Sequence, residues 1–80
     1  MSDCIAVFET THETLRAEEF FRAQKVPFRP VLRPRGLGAS CRMALRFAEE
    51  ELEKARKAVA EGNLVLKSFH RFDGGAWVKI

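Results

Sequence analysis

Residues 41–59, CRMALRFAEEELEKARKAV, change their hydrophobic period partway along, and this change decides the fold. From Cys41 to Phe47 every second residue is apolar and alternates with arginine or alanine, which is the period of a half-buried strand. From Ala48 onward the apolar residues recur at helical spacing. The glutamates at the start of this pattern stand where a helix dipole favours acidic side chains. The stretch therefore predicts a strand that leads directly into a helix.

Upstream of this stretch, an apolar run and a capping motif predict another strand and another helix. Residues 4–8 are apolar, with β-branched and aromatic members, which is typical of a short strand. Thr10 and Glu13 form a capping box: the hydroxyl accepts from the Glu13 amide, and the carboxylate reaches back to the Thr10 amide. The helix that follows is predicted to end near Gln24. Its predicted apolar face consists of Leu15, Ala17, Phe20 and Phe21.

Proline and glycine mark the remaining strands. Residues 26–32 are apolar but contain prolines, which lack the amide that a central sheet position needs, so this strand is predicted to lie at a sheet edge or to be irregular. Gly62-Asn63 ends the second helix by supplying a left-handed residue. Residues 64–72 predict a further strand, which Asp73-Gly74-Gly75 turns into a short final strand at residues 76–80.

The predicted order is strand, helix, strand, strand, helix, strand, followed by a small tail. This order is that of the split βαβ, ferredoxin-like layout. The expected fold class is therefore α+β, with one domain over residues 1–80, an antiparallel sheet, and two helices on one of its faces. A domain of this size leaves little room for an enclosed active site, so a surface site or a partner is expected.

The composition is that of an ordinary soluble globular domain. Apolar residues make up 46% and charged residues 31% of the chain, which excludes a disordered or collagen-like protein. The formal net charge of +3 is mild and does not by itself select a partner. No apolar run approaches the roughly 20 residues that cross a bilayer, and the N-terminus lacks the layout of a secretory signal. A cytoplasmic location without membrane association is expected.

The two cysteines have different surroundings along the chain. Cys41 follows a loop rich in glycine, proline and small residues and precedes Arg42, and cations favour the thiolate that acts as the nucleophile in sulfur exchange. Cys41 also shares the strand alternation, so an inert position in the core is the alternative. Cys4 begins an apolar strand next to Asp3, whose carboxylate opposes thiolate formation, and it is predicted to be structural.

Three other patterns do not predict a site. His12 and His70 lack the paired spacing of zinc ligands, so no metal is expected, although His12 is a candidate neighbour of the loop. Residues 36–41 lead into a strand where a glycine-rich nucleotide loop would open a helix, and no cofactor is expected. Residues 43–47 lack the aromatic signature of an RNA-binding strand, so nucleic acid is not expected as a partner. The arginines that could line phosphates are Arg29, Arg33, Arg35, Arg42 and Arg46.

A set of short motifs resembles a known family. The motifs are Thr11-His12 with Leu15, Ala17 and Glu18, then Pro34-Arg35, a loop of small residues, Cys41, and Ala44-Leu45-Arg46-Phe47. They extend from the first strand to the second helix and resemble the selenium/sulfur carrier protein-like family of small bacterial and archaeal domains. The resemblance implies that Cys41, the cysteine after the Pro-Arg loop, is the working residue. The family usually has glycine after this cysteine, whereas Arg42 here places a guanidinium beside the sulfur.

The leading functional hypothesis is a cytoplasmic carrier of sulfur or selenium, not a turnover enzyme, that holds a persulfide on Cys41 and passes it to an acceptor. The residues expected to support this cysteine are Arg35, Arg42, Ser40 and His12. The carrier would need no cofactor and no metal. Its partners would be a donor protein and an acceptor protein, and it could form a homodimer. The alternative is a non-catalytic interaction module that uses the open sheet face or a sheet edge.

Overall fold

The computed structural model describes residues 2–34 and 42–80, and it arranges them as one sheet with two helices. The elements in chain order are β1 (Asp3–Phe8), α1 (Thr11–Ala23), β2 (Arg29–Leu32), β3 (Met43–Ala48), α2 (Leu52–Gly62), β4 (Leu66–Asp73) and β5 (Ala76–Lys79). The strand order is β2-β3-β1-β4-β5, and every neighbouring pair is antiparallel. The α+β class is confirmed: the first four strands have the ferredoxin-like order, and β5 extends one edge.

Both helices pack on one face of the sheet, and the main core lies between them. Alternate residues of β1, from Cys4 to Phe8, point into this core together with side chains of α1 and α2. Phe21 of α1 lies edge-on against Phe28 and Phe47, with ring centroids 5.8 Å apart in each pair. Burial of one such aromatic side chain stabilises a fold by about 1.5–3 kcal/mol, so this layer supplies the main apolar stabilisation of the domain.

The start of α1 is capped as predicted, but the Glu13 carboxylate has different partners. The Thr10 hydroxyl accepts a hydrogen bond from the Glu13 amide at 3.1 Å. The predicted return of the carboxylate to the Thr10 amide is wrong, because Oε1 accepts from the Val65 amide and Oε2 from Arg16, both at 2.7 Å. Arg16 also donates to the Gly62 carbonyl at 2.8 Å. These hydrogen bonds tie α1 to the connection between α2 and β4, and those from Arg16 and Val65 hold the pKa of Glu13 below its usual range.

The apolar face of α1 differs from the predicted one at Leu15, whose surface is 59% exposed. The buried stripe of α1 includes Glu13, Ala17 and Phe21, which follow each other at intervals of one helical turn. Leu15 lies outside this stripe because the polar residue Glu13 is turned inward, where it accepts hydrogen bonds from Val65 and Arg16. Hydrophobicity alone therefore assigned Leu15 to the wrong face.

The turns follow the predicted chemistry, while several element limits shift. Asn63 ends α2 in the left-handed region, with φ 49°, and Gly74 and Gly75 form the β4–β5 hairpin turn with φ 60° and 91°. The second strand starts at Arg29, later than predicted, and lies at a sheet edge as expected. A turn of 3-10 helix, Glu49–Glu51, precedes α2, so the regular helix also starts later than predicted.

The opposite face of the sheet, called the open face here, has a smaller apolar cluster of its own. Ile5 and Val7 are 0% exposed there, with Val31 and Trp77 packed beside them. Arg46 on β3 lies over the Trp77 ring of β5, with its guanidinium carbon 5.5 Å from the ring centroid. Long side chains that meet above the central strands therefore bury these aliphatic residues, since both described helices lie on the other face.

Candidate functional site

Two of the five predicted site residues lie within the described part of the chain, namely His12 and Arg42. The other three, Arg35, Ser40 and Cys41, lie outside the described residues, so their side-chain geometry stays a prediction. The described chain stops at Pro34 and resumes at Arg42. The Arg33 amide donates to the Arg42 carbonyl at 2.6 Å, which extends the β2–β3 ladder by one pair. The described residues on either side of segment 35–41 are therefore held side by side.

Arg42 and His12 are brought to the same end of the sheet. The register that pairs Ala6 with Leu45 puts the C-terminal end of β1 beside the N-terminal end of β3. Arg42 directly precedes β3, and His12 stands in the first turn of α1, which follows β1 after a short connection. Both residues are exposed. The topology thus places a guanidinium and an imidazole at the end where the segment containing Cys41 is attached.

Four arginines lie on one face of the β2–β3 hairpin, and we call them the arginine ribbon: Arg29, Arg33, Arg42 and Arg46. Arg29 is paired directly with Arg46 across the two strands. The alternation of the pleat, continued by the hydrogen bond between Arg33 and Arg42, assigns the second pair to the same face as the first. This face is the open face, because Arg46 contacts Trp77 there. Arg46 also donates from Nε to Asp3 at 2.7 Å.

Cys4 is buried in the core on the helix side of the sheet, with 0% of its surface exposed. Burial raises the pKa of its thiol, and the nearby Glu49 carboxylate raises it further. A thiol with no access to solvent and a raised pKa is a poor nucleophile. The prediction that Cys4 is structural is therefore confirmed, which leaves Cys41 as the candidate nucleophile among the two cysteines of the chain.

His70 is buried on the open face, so it is not a partner for a surface thiol. Its Nε2 lies 2.7 Å from the Ser68 hydroxyl, and its surface is 6% exposed. Burial lowers the pKa of the imidazole, and the neighbouring charge of Lys79 lowers it further. The side chain is therefore neutral at pH 7. Within residues 2–34 and 42–80, no group of three or more His, Cys, Asp and Glu side chains could hold a metal ion.

Two aromatic residues meet on the open face. Phe72 of β4 and Trp77 of β5 are cross-strand partners, and their rings meet edge-on with centroids 5.1 Å apart. The strand alternation carries a signal for this placement, because every second residue of a strand lies on the same face. Phe72 therefore shares a face of β4 with the polar residues Ser68 and His70. A shallow cavity of about 250 Å³ lies at the opposite end of β3 from Arg42, and its lining includes Phe28, Arg29 and Ala48.

Comparisons with known proteins identify a family for the chain. Neither the curated proteins nor the solved structures give a significant match. None of the helices in the described ranges is long and apolar enough to cross a membrane. A family model described as "Putative Se/S carrier protein-like" matches residues 3–71, from the start of β1 into β4, and this range includes Cys41. Because the match covers most of the sequence and agrees with the motifs around Cys41, the chain belongs to the Se/S carrier protein-like family.

Proposed function

We propose that this protein carries sulfur or selenium as a persulfide or its selenium analogue on Cys41 and passes the atom from a donor protein to an acceptor. The observation that carries the proposal is the match to a carrier family across the segment that contains this cysteine. The buried position of Cys4 supports it, because the second thiol of the chain is unsuited to the role. A reducing compartment such as the cytoplasm would keep Cys41 available as a thiol.

The chemistry consists of two exchange steps that balance without an external oxidant or reductant. In the loading step, the Cys41 thiolate attacks the terminal sulfur of a donor persulfide; a new S–S bond forms, the donor S–S bond breaks, and the donor leaves as a thiolate. In the delivery step, an acceptor thiolate attacks the terminal sulfur on Cys41, and Cys41 leaves as the thiolate. In both steps the terminal sulfur is transferred together with its proton. A terminal selenium atom would be transferred by the same two steps, with S–Se bonds formed and broken in place of S–S bonds.

The arginines supply the electrostatic support for this thiolate. Arg42 follows Cys41 in the chain and is exposed at the end of the β2–β3 ladder. Arg35 belongs to segment 35–41, which also contains Cys41. A cation near a thiol favours the ionised form and so raises the fraction of reactive thiolate at neutral pH. Ser40 and His12 are assigned supporting roles, because Ser40 precedes Cys41 in the chain and His12 stands at the sheet end where Arg42 lies.

The proposal is tested by loading the protein with sulfur from a cysteine desulfurase and free cysteine, followed by intact-mass analysis. Wild type and C4S are expected to gain one sulfur atom, and C41S is expected to gain none. R42Q should load more slowly than K54Q, a matched control that removes one exposed positive charge from α2. No adduct on wild type, or an equal adduct on C41S, would reject the carrier function.

A second candidate function is a non-catalytic interaction module that pairs through a sheet edge. The observation that favours it is the exposure of large apolar side chains at both edges: Leu32 on β2 is 77% exposed, and Val78 on β5 is 43% exposed. Exposed edge strands are templates for strand addition, including addition of a second copy of this chain. Light scattering over a concentration series measures this directly. A module of this kind would keep its assembly unchanged in C41S.

A further inference from the structure

The open face concentrates positive charge. Four guanidinium groups of the arginine ribbon and Lys79 of β5 belong to this face, where Asp3 is the acidic partner of Arg46. Like charges directly opposite each other on adjacent strands are destabilising, and the ribbon contains two such pairs. On the helix side, the described ion pairs include Glu18–Arg22, Glu51–Lys54 and Glu49–Arg71. On the described part of the open face, arginine and lysine side chains outnumber acidic ones, and a face of this kind is suited to binding an anion.

The geometry of the ribbon fits phosphate groups. Guanidinium is a planar fork that bonds phosphate oxygens through two parallel N–H donors, and all four members are arginine, not lysine. Arg29 and Arg33 are four residues apart on one strand. At a strand rise of about 3.3 Å per residue, the ribbon therefore presents cations over about 13 Å, enough for successive phosphates of one nucleic-acid strand.

Aromatic rings complete this face beside the cations. Phe72 is 39% exposed on β4 and is held edge-on by Trp77, whose own face is partly covered by Arg46. Single-stranded nucleic acids are bound where a positive groove lies beside a ring on which a base stacks. From the sequence, nucleic acid is not expected as a partner because residues 43–47 lack the aromatic signature of an RNA-binding strand. The hairpin of β4 and β5 supplies the ring from another part of the chain.

The exposed chemistry of this face distinguishes nucleic acid from an acidic protein partner. Protein interfaces combine arginines with an exposed apolar centre. On this face the aliphatic centre, Ile5 with Val7 and Ala44, is 0% exposed, and the groups that remain exposed include Arg29, Arg42, Lys79 and Phe72. Because the aliphatic centre is covered, the cations dominate the exposed chemistry of the described part of this face, which favours phosphates over a protein surface.

We propose that the open face binds single-stranded nucleic acid, with the arginine ribbon on consecutive phosphates and Phe72 stacked against a base. This binding is separate from sulfur carriage, because it does not use Cys41. The family match ends at Arg71, so Phe72, Trp77 and Lys79 lie beyond the matched residues, whereas the arginine ribbon lies within them. Binding would position a nucleic acid on the face that also carries Arg42, which is next to Cys41 in the chain.

The test uses fluorescence anisotropy of a labelled, unstructured oligoribonucleotide, measured from low to moderate salt. R29Q/R42Q is expected to weaken binding at low salt by at least about tenfold. It should also reduce the slope of log K against log salt by about 1.4, since each phosphate contact on a single strand contributes about 0.7. F72L is expected to weaken binding about fivefold or more through loss of base stacking. The single tryptophan, Trp77, gives a second readout, because its emission should change on binding.

Matched controls separate a specific face from general basicity. K54Q/K57Q removes the same charge from exposed positions of α2 and is expected to leave the salt slope unchanged. C41S should bind like wild type, so a failure of sulfur carriage does not affect this result. All variants are compared only after their thermal unfolding matches that of wild type. The proposal is overturned by absence of binding at low salt, by equal losses in R29Q/R42Q and K54Q/K57Q, or by equal competition from a polyglutamate peptide, which would assign the face to acidic proteins.

Discussion

Cys4 and Cys41 allow a direct comparison between a buried thiol and the proposed working thiol in one molecule. Native wild-type protein treated with iodoacetamide is expected to gain one group rapidly, at Cys41. A second group should be added at Cys4 only as the protein unfolds, because Cys4 has no exposed surface and β1 is paired with a strand on each side. The C4S and C41S variants identify which thiol gives each kinetic phase.

The separation between the two phases follows from the position of Cys4. A strand in the centre of the sheet becomes accessible on global unfolding, and a stability of about 5 kcal/mol leaves about one molecule in several thousand unfolded. Cys4 should therefore react about 10³- to 10⁴-fold more slowly than an exposed thiol. Burial also raises the pKa of the Cys4 thiol, which lowers its thiolate fraction further whenever the region opens only partly.

The assay is intact-mass analysis of quenched time points over a range of pH, repeated in denaturant. In denaturant both cysteines should react at similar rates. Under native conditions the rate at Cys41 should level off at a pH below about 8.5, the ordinary pKa of a cysteine thiol, since neighbouring cations favour the thiolate. If native Cys41 were as slow as Cys4, or if its rate rose only above the ordinary thiol pKa, the argument for a poised thiolate would be refuted.

Three further predictions concern the fold. Phe21→Ala should lower the free energy of unfolding in urea by about 3–5 kcal/mol because this ring is fully buried, whereas Leu15→Ala should change it by less than about 0.5 kcal/mol; equal effects would contradict the observed face of α1. The Glu13 carboxylate has a lowered pKa in the folded state, so its stabilisation is present above about pH 4.3 and is lost as pH falls through the folded pKa; E13Q should therefore have a flatter acid branch in thermal unfolding. His70 also has a lowered pKa in the folded state, so its imidazole binds a proton more readily in the unfolded chain. The free energy of unfolding should therefore fall as pH drops below about 6.5. An NMR titration that gave His70 an ordinary imidazole pKa would disprove this pH dependence.

Local sequence patterns were sufficient where one short-range interaction fixes the backbone. The hydroxyl cap at Thr10, the left-handed Asn63 and the Gly74-Gly75 turn all follow from interactions within a few residues. The period change after Phe47 likewise gave the order of β3 and α2. A 3-10 turn between them was not foreseen, because it depends on how the chain leaves the sheet.

Patterns failed where a distant partner decided the outcome. Glu13 has a sequence suited to a capping box, but the Val65 amide and Arg16 take its carboxylate, which turns that side of α1 inward and leaves Leu15 outside. Val65 lies 52 positions further along the chain than Glu13, so no local rule could have found this contact. The placement of Phe72 on the same sheet face as the arginine ribbon depends in the same way on the pairing of β4 with β1.

The amino-acid sequence by itself determined the fold class, the family and the choice of Cys41 as the candidate nucleophile, because periodicity, turn residues and short motifs are properties of neighbouring positions. The tertiary structure alone decided that Cys4 is buried in the core, that Glu13 joins α1 to the connection before β4, and that the arginines of β2 and β3 face the same side as an exposed ring from β4. Burial and charge density depend on which strands become neighbours, and the register of a folded sheet fixes that arrangement.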